Sequence, residues 1–233
     1  MTAINVLALD PGFEIRVVDA FATPQGIAAR VDEIWAWEKQ ERGAQLTNGR
    51  AYSLCGHAPD CLTLQPIEYR HVLARRRAPD LARAGLAIRP VGVTGVLSCA
   101  DGLVLGRRGD PVASDAGLWE AAPAGGLDHP DPTAQILGEL REELGLDASR
   151  VPPPVACGMV EDVASGVIDI VLRLQSDASA DDILAIHKAL GTDEYSGLAI
   201  VKREDVAAFL EAERDHLLPA LRPMLRLVGL AKP

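Results

Sequence analysis

The sequence predicts a chain that mixes helices with strands, either as an α+β fold or as an α/β/α sandwich. The 233 residues are 48% hydrophobic and 24% charged, proportions that are usual in globular proteins and exclude disorder as the main state. In the second half, two β-rich runs that begin at Val91 are followed by a capped helix and an alternating strand over Val167–Leu174. Sheet and helix that alternate in this way are typical of these two fold classes.

Residues 1–90 are predicted to form a small α/β extension. Thr23 and Pro24 have the residue types of a helix N-cap and a first helical position. The apolar residues at 27, 31, 34 and 35 then lie on one helical stripe. Asn48-Gly49 is a strong turn signal, and residues 52–54 and 62–64 alternate as short strands around it. Residues 82–90 are predicted to connect this extension to the rest of the chain.

Residues 91–233 are predicted to form the main domain. Residues 91–98 and 103–106 form a hairpin around the turn at 100–102, and residues 117–120 and 123–126 follow as irregular segments. Asp131 and Pro132 then predict the start of a helix, which Gly145 ends. Residues 181–190 and 203–214 have the pattern of amphipathic helices.

Charge and composition limit the classes of partner. The formal net charge is −10, from 23 Lys and Arg against 33 Asp and Glu, which argues against nucleic acid or an anionic membrane and suits a protein that binds divalent cations. No apolar run approaches the roughly 18 residues of a membrane span, and the N-terminus lacks the order of a signal peptide. Four cysteines are too few for a disulfide scaffold. We therefore expect a cytoplasmic protein.

Three glutamates of the helix after Asp131 carry the strongest functional signal. At 100° per residue, Glu139, Glu142 and Glu143 share one face, and an adjacent apolar face must be buried. Two carboxylates 5–6 Å apart repel by roughly 3 kcal/mol at an effective dielectric constant of 20. A half-buried acidic face therefore requires a cation or raised pKa values, and hard oxygen ligands suit Mg²⁺ or Mn²⁺. A solvated helix face is the competing interpretation.

The order of these segments resembles the Nudix hydrolase superfamily. The resemblance covers about residues 91–215 and is most specific over Glu139–Leu146, where the run Glu-Leu-Arg-Glu-Glu-Leu-Gly-Leu matches the end of the family signature. It implies an α/β/α sandwich around a mixed sheet, with Glu139, Glu142 and Glu143 as metal ligands. The implied activity is metal-dependent hydrolysis of the pyrophosphate linkage in a nucleotide sugar, ADP-ribose or a dinucleotide. Many family members dimerise, so the resemblance also makes a homodimer possible.

The sequence departs from the family pattern at two points. Gly138 stands where the family has an arginine, and the loop after Gly126 is shortened. The family's loop glutamate therefore has no direct counterpart, although Asp128 or Asp131 offers a carboxylate nearby. These departures favour the alternative of a catalytically impaired Nudix-fold module that binds or senses a nucleotide. A structural domain with a solvated acidic helix is the third hypothesis.

The remaining site residues are assigned partly by position. Glu194 lies just before the apolar run at 198–201, where many family members place a catalytic glutamate, so the catalytic set is Glu142, Glu143 and Glu194. Glu161 and Asp162, expected in a loop, compete with Glu194 for the role of the base. The residues predicted to bind substrate are Arg107, Arg108 and Gly126. Guanidinium groups suit phosphates because they donate two parallel hydrogen bonds.

Overall fold

A large mixed sheet and a smaller sheet form the framework of the computed structural model, which describes residues 3–43, 46–110 and 115–231. The strands are β1 (Ile4–Leu7), β2 (Glu14–Val17), β3 (Arg50–Ala58), β4 (Cys61–Glu68), β5 (Val91–Ser98), β6 (Leu103–Arg108), β7 (Trp119–Ala121), β8 (Ala124–Gly126), β9 (Val155–Asp162), β10 (Ile168–Gln175) and β11 (Tyr195–Val201). The helices are α1 (Gln25–Arg42), α2 (Tyr69–Arg77), α3 (Pro132–Leu144), α4 (Ala180–Leu190), α5 (Val206–Ala212) and α6 (Leu221–Leu227).

The large sheet has the strand order β1-β9-β10-β5-β6-β11. β5 and β10 are parallel, whereas β6 and β11 are antiparallel. β5 and β6 pair only where Ser98 meets Leu103. Farther along, β8 pairs with β5 and β7 pairs with β6. Because β11 occupies the other side of β6, residues 119–126 lie between the two diverging strands, at the centre of the sheet.

Helices cover both faces of this sheet. On one face, α3 and α4 pack through Ile136, Leu140 and Ile183 in a core shared with β5 and β10. On the other face, α5 and α6 pack through Leu210 and Leu225 in a second apolar cluster. This layering confirms the predicted α/β/α sandwich with a mixed sheet.

The extension is packed against the main domain. β1 is an edge strand of the large sheet, antiparallel to β9. The smaller sheet has the order β2-β4-β3. Its residues Leu54 and Leu64 share one apolar core with Leu127 and Leu144. A hydrogen bond of 2.8 Å from the Leu54 N–H to the Arg89 carbonyl further joins β3 to the segment before β5. The boundary at residue 90 stays a prediction, but the core is continuous across it.

Two local predictions in the extension are wrong. Pro24 precedes α1 rather than beginning it, and Thr23 does not cap the helix; its hydroxyl is instead 2.8 Å from Nε2 of the buried His71. Asn48-Gly49 precedes β3, whereas the hairpin between β3 and β4 turns at residues 59–60. The Asn48 side chain bonds to Glu68 and to the Arg70 N–H, so a contact distant in sequence determines its conformation.

Other elements differ in extent from the prediction. The segments at 117–120 and 123–126, expected to be irregular, contain the three-residue strands β7 and β8. The helix predicted at 203–214 begins with a 3₁₀ turn, and α5 itself ends at Ala212. All four cysteines are free thiols. Over the described ranges, no helix is long and apolar enough to cross a membrane.

Candidate active site

α3 forms as the local sequence predicts. The Asp131 carboxylate accepts hydrogen bonds from the backbone N–H groups of Thr133 (3.0 Å) and Ala134 (3.1 Å), and Pro132 occupies the first turn. Gly145 ends the helix with a φ of 71°, a left-handed conformation that favours glycine. Because Leu140 and Leu144 are fully buried, the acidic face of α3 lies at the edge of the core.

Glu143 is the most deeply buried of the three helix glutamates, with 1% of its surface exposed. Its Oε2 atom accepts a hydrogen bond of 2.9 Å from the Ala124 N–H and one of 3.0 Å from the Tyr195 hydroxyl. Burial raises the pKa of Glu143 to about 9, and the charges of Glu194 and Glu139 add to this, although both hydrogen bonds oppose it. This carboxyl group therefore joins α3 to β8 and β11.

Glu139 packs against Gly125 of β8. A Cβ atom on Gly125 would lie 2.1 Å from Oε1 of Glu139, so the close approach depends on a residue without a side chain. Gln135 donates a hydrogen bond of 2.8 Å to the same oxygen. Partial burial raises the pKa of Glu139 to about 7 against the effect of that hydrogen bond, and the charges of Glu142 and Glu194 contribute to the rise.

The structure brings Glu194 to the helix glutamates. It lies in the turn before β11, where its carbonyl accepts a hydrogen bond of 2.8 Å from the Gly109 N–H. Partial burial and the charge of Glu142 raise the pKa of Glu194, while Arg108 opposes the rise. Glu142 and Glu194 are both exposed. The carboxylates of α3 and of the turn before β11 thus influence one another's pKa values.

The two competitors for the role of the base make contacts of their own. Glu161 and Asp162 belong to the end of β9 rather than to a loop. Glu161 accepts a hydrogen bond from Asn5 and forms an ion pair with Arg89 at 2.9 Å. These contacts lower its pKa despite some burial. Asp162 accepts a hydrogen bond of 2.9 Å from the Ala164 N–H. Both side chains are engaged in holding local structure.

The two arginines at the end of β6 have different environments. Arg108 forms an ion pair of 2.6 Å with Glu120 and is largely buried. Arg107 is exposed; its Nε donates to the Gly117 carbonyl at 3.1 Å, and its guanidinium lies 5.9 Å from the centre of the Trp119 ring. Of the two, Arg107 has the more accessible guanidinium. The binding of phosphate by either residue stays a prediction.

Gly126 and the two candidate loop carboxylates are also accounted for. Gly126 ends β8 and is exposed, with open space where a Cβ would stand. Asp131 is committed to capping α3. Asp128 is exposed, and its charge contributes to the raised pKa of Glu139. A role for Asp128 or Asp131 in place of the missing loop glutamate stays a prediction.

Two further carboxyl groups, one buried and one partly exposed, were not predicted from the sequence. Glu120 on β7 is 8% exposed, and burial raises its pKa to about 7 although Arg108 opposes this. Asp169 on β10 lies against Gly92, where a Cβ would be 2.6 Å from Oδ1. Burial raises the pKa of Asp169 to about 6, again against Arg108. In both cases the available signal was a single acidic residue within an apolar run.

The donor chemistry of the site fits a divalent cation, although the side chains are not gathered around one. Within the described residues, no three His, Cys, Asp or Glu side chains converge closely enough to hold a metal ion. The raised pKa values of Glu139 and Glu143 nevertheless report carboxyl groups that are short of water and close to like charges. A bound Mg²⁺ or Mn²⁺ would relieve both effects.

Comparison with known proteins supports the fold. No family model and no curated protein matches the sequence. The chain is similar to the solved structure of DR0079 from Deinococcus radiodurans, with 16% identity over 76% of this chain and 97% of that one and a TM-score of 0.50. It is more weakly similar, with a TM-score of 0.44 in each case, to two other structures. They are the MutT protein of Methanosarcina mazei (19% identity; 59% of this chain and 91% of that one) and a Nudix hydrolase of Nitrosomonas europaea (18%; 61% and 91%).

At these identities the likeness concerns the fold alone. Together with the helices on both faces of the mixed sheet, the likeness to DR0079 supports the predicted α/β/α sandwich. The roles of the individual site residues stay predictions.

The glycine within α3 yields a test of stability. A Cβ on Gly138 would meet no atom within 4 Å, so Gly138→Ala removes the helix penalty of glycine without a clash. We expect an increase of about 0.5–1 kcal/mol in the free energy of unfolding, measured by urea denaturation. Gly117→Ala is the control, because Gly117 is also uncrowded but has a φ of 81° and should lose stability. A decrease in the free energy of unfolding of Gly138→Ala would contradict the conclusion that a Cβ fits at this position.

The raised pKa values predict how stability depends on pH without metal. The folded state binds protons on Glu120, Glu139 and Glu143 more tightly than the unfolded chain does. The contribution of these three groups to the free energy of unfolding should therefore be greatest below about pH 4.5. It should be lost as the pH rises through about 7 and then about 9. We expect the Tm in EDTA to fall from pH 5 to pH 9. Glu143→Gln should flatten the part above pH 7, whereas the exposed control Glu211→Gln should not. An unchanged slope in Glu143→Gln would contradict the assignment.

Proposed function

We propose that this protein hydrolyses the pyrophosphate linkage of a nucleoside diphosphate derivative, with Glu139, Glu142 and Glu143 holding Mg²⁺ or Mn²⁺. The observation that supports it most is electrostatic: the charge of Glu194 contributes to the raised pKa values of both Glu139 and Glu143. Crowded carboxylates are costly for stability alone, and they are suited to binding a divalent cation.

The chain's own residues have distinct roles in this proposal. A bound divalent cation would neutralise charge on the pyrophosphate and lower the pKa of a coordinated water. Glu194 is exposed and has a raised pKa, which suits a group that accepts a proton from the attacking water. The hydrogen bonds from Ala124 and Tyr195 orient Glu143. Exposed Arg107 is available to the phosphates.

The substrate class remains that of the sequence analysis: a nucleotide sugar, ADP-ribose or a dinucleotide. All of these carry the same reacting group, and the proposed site residues would act on that group. Homodimer formation and a cytoplasmic location are further predictions of the sequence and are independent of the site.

A second function is supported by specific observations. Gly138 supplies no side chain to the site, and the described carboxylates do not converge as a ready metal centre. Both features suit a Nudix-fold module that binds a nucleotide without cleaving it. The two functions are separated by turnover, because both predict nucleotide binding and one alone predicts phosphate release.

Substitution of a proposed metal ligand tests the enzymatic function. Glu142→Gln keeps the shape of an exposed side chain but removes its charge, so we expect a loss of at least about a hundredfold in metal-dependent turnover with no loss of folding. The assay is a panel of nucleoside diphosphate derivatives with Mg²⁺ or Mn²⁺, in which an added phosphatase releases phosphate from the products. Glu204→Gln, an exposed residue outside the site, is the control. Full activity in both Glu142→Gln and Glu143→Gln would refute the ligand assignment.

Two adjacent glycines form a matched pair for testing Glu139. Gly125→Ala forces the Glu139 carboxylate away from β8, whereas a Cβ on Gly126 meets nothing within 4 Å. We expect Gly125→Ala to weaken Mn²⁺ binding by about tenfold and Gly126→Ala to change it by less than about twofold, measured by isothermal titration calorimetry. Equal affinities in the two variants would show that the contact between Gly125 and Glu139 does not position a metal ligand.

A further inference from the structure

The two oxygens of the buried Glu143 carboxyl group have different environments. Oε2 accepts hydrogen bonds from the Ala124 N–H at 2.9 Å and from the Tyr195 hydroxyl at 3.0 Å. A carboxylate oxygen has about two lone-pair positions, so these two donors occupy both of them. Oε1 accepts no hydrogen bond from any residue that the structure describes. Of the two oxygens, Oε1 is therefore the one that is available to a cation.

A β-bulge determines which face of the sheet Tyr195 occupies. The register between β11 and β6 shifts between Tyr195 and Gly197, which leaves Ser196 as the extra residue. Leu198 and Ile200 pack against the same core as α3. Because side chains alternate along a strand, a regular strand would turn Ser196 to that face and Tyr195 to the opposite one. The bulge reverses this order, and Tyr195 joins the core beside α3.

The neighbouring strand makes room for the Tyr195 ring. A Cβ atom on Gly106 of β6 would overlap with Cδ1 and Cε1 of this ring, so the position requires a residue without a side chain. Tyr195 is 3% exposed, and the hydroxyl of a buried tyrosine usually has a hydrogen-bond partner. That partner is Glu143. The bulge and Gly106 together therefore direct a single donor to one oxygen of Glu143.

The backbone of Glu143 is held by a third element. Nδ1 of His187 in α4 lies 3.1 Å from the Glu143 carbonyl oxygen. A Cβ atom on Gly191, the residue after α4, would overlap with Nδ1 of His187 and lie 2.7 Å from the same carbonyl oxygen. Glu143 is thus held at its backbone by α4 and at its carboxyl group by β8 and β11. Rotation of the side chain would break both hydrogen bonds to Oε2.

We propose that Tyr195 is a positioning residue, which holds Oε2 of Glu143 so that Oε1 alone is offered to a divalent cation. The inference rests on the proposed function, in which Glu143 is a metal ligand. Tyr195 acts through Glu143 and touches neither cation nor substrate.

The proposed arrangement has a consequence for the choice of cation. Ca²⁺ accepts carboxylates with one or both oxygens in a flexible geometry, whereas Mg²⁺ requires a nearly ideal octahedron. A glutamate that is restricted to one oxygen suits the octahedral ion. We therefore expect the Tyr195 hydroxyl to favour Mg²⁺ and Mn²⁺ over Ca²⁺.

Removal of the hydroxyl tests this role. Tyr195→Phe keeps the ring against Gly106 but frees Oε2 of Glu143. We expect it to weaken Mn²⁺ binding by about tenfold and Ca²⁺ binding by less than about threefold, both measured by isothermal titration calorimetry on the whole chain without substrate. In turnover assays, the KM for substrate at saturating Mn²⁺ should stay within about twofold. Tyr52→Phe, the same change at another buried tyrosine, should leave both metal affinities unchanged.

Displacement of the ring provides an independent arm. Gly106→Ala keeps the hydroxyl but forces the Tyr195 ring away from β6, so Mn²⁺ binding should again weaken by about tenfold. Gly197→Ala is the matched control, because Gly197 also belongs to the paired strands and a Cβ there meets nothing within 4 Å. It should change the affinity by less than about twofold. If Gly106→Ala fails to fold, Tyr195→Phe decides.

The outcomes separate this inference from the proposed function. Unchanged Mn²⁺ affinity in Tyr195→Phe would overturn the positioning role, even if the wild type cleaves nucleoside diphosphate derivatives and the variant is less stable to urea. A crystal grown with Mn²⁺ in which both oxygens of Glu143 bind the cation would also overturn it. Weaker Mn²⁺ binding by Tyr195→Phe in a protein that cleaves nothing would support the positioning role and refute the proposed hydrolase. A wild type that binds no Mn²⁺ would overturn both.

Discussion

The burial of the Glu143 carboxyl group is the constraint on which the arrangement of the site depends. Removing this group from water is costly, and hydrogen bonds from the Ala124 N–H and the Tyr195 hydroxyl offset part of that cost. The donors belong to β8 and β11, so both strands must be in place before the carboxyl group is satisfied. Since Glu194 directly precedes Tyr195, the interaction that holds Glu143 also positions a fourth glutamate at the site. Gly125, next to Ala124, is likewise positioned to receive Glu139.

Elements determined by neighbouring residues could be predicted from the sequence, whereas those determined by distant residues could not. The bounds of α3 follow from Asp131, Pro132 and Gly145, all of which act within one turn of the helix. Asn48-Gly49 has the same kind of local signal, but its side-chain contacts with α2 outweigh the turn preference. β7 and β8 are three residues each, too short for an alternating pattern to show. Their strand conformation depends on pairing with β6 and β5.

The site shows the same division between local and distant information. Periodicity on one helix places Glu139, Glu142 and Glu143 together, and the family resemblance suggested Glu194. Neither the periodicity nor the family resemblance indicated an ion pair between Arg108 and Glu120, because this pair joins β6 to a strand that was not predicted. The resulting electrostatic environment is more acidic than the helix alone suggests. The positive charge of Arg108 lowers the pKa values of Glu120, Asp169 and Glu194 and so offsets part of the rise caused by burial.

The proposed metal centre requires the carboxylates to come closer together than they are in this structure. Glu142 and Glu194 are exposed, so each can reach a cation by side-chain rotation, which costs up to about 2 kcal/mol of conformational entropy. The repulsion between two such carboxylates, roughly 3 kcal/mol at an effective dielectric constant of 20, disfavours their approach until a cation is present. Glu143 and Glu139 are already held against β8. In the proposed function, the main cost of gathering the carboxylates is therefore electrostatic, and a bound divalent cation would offset it.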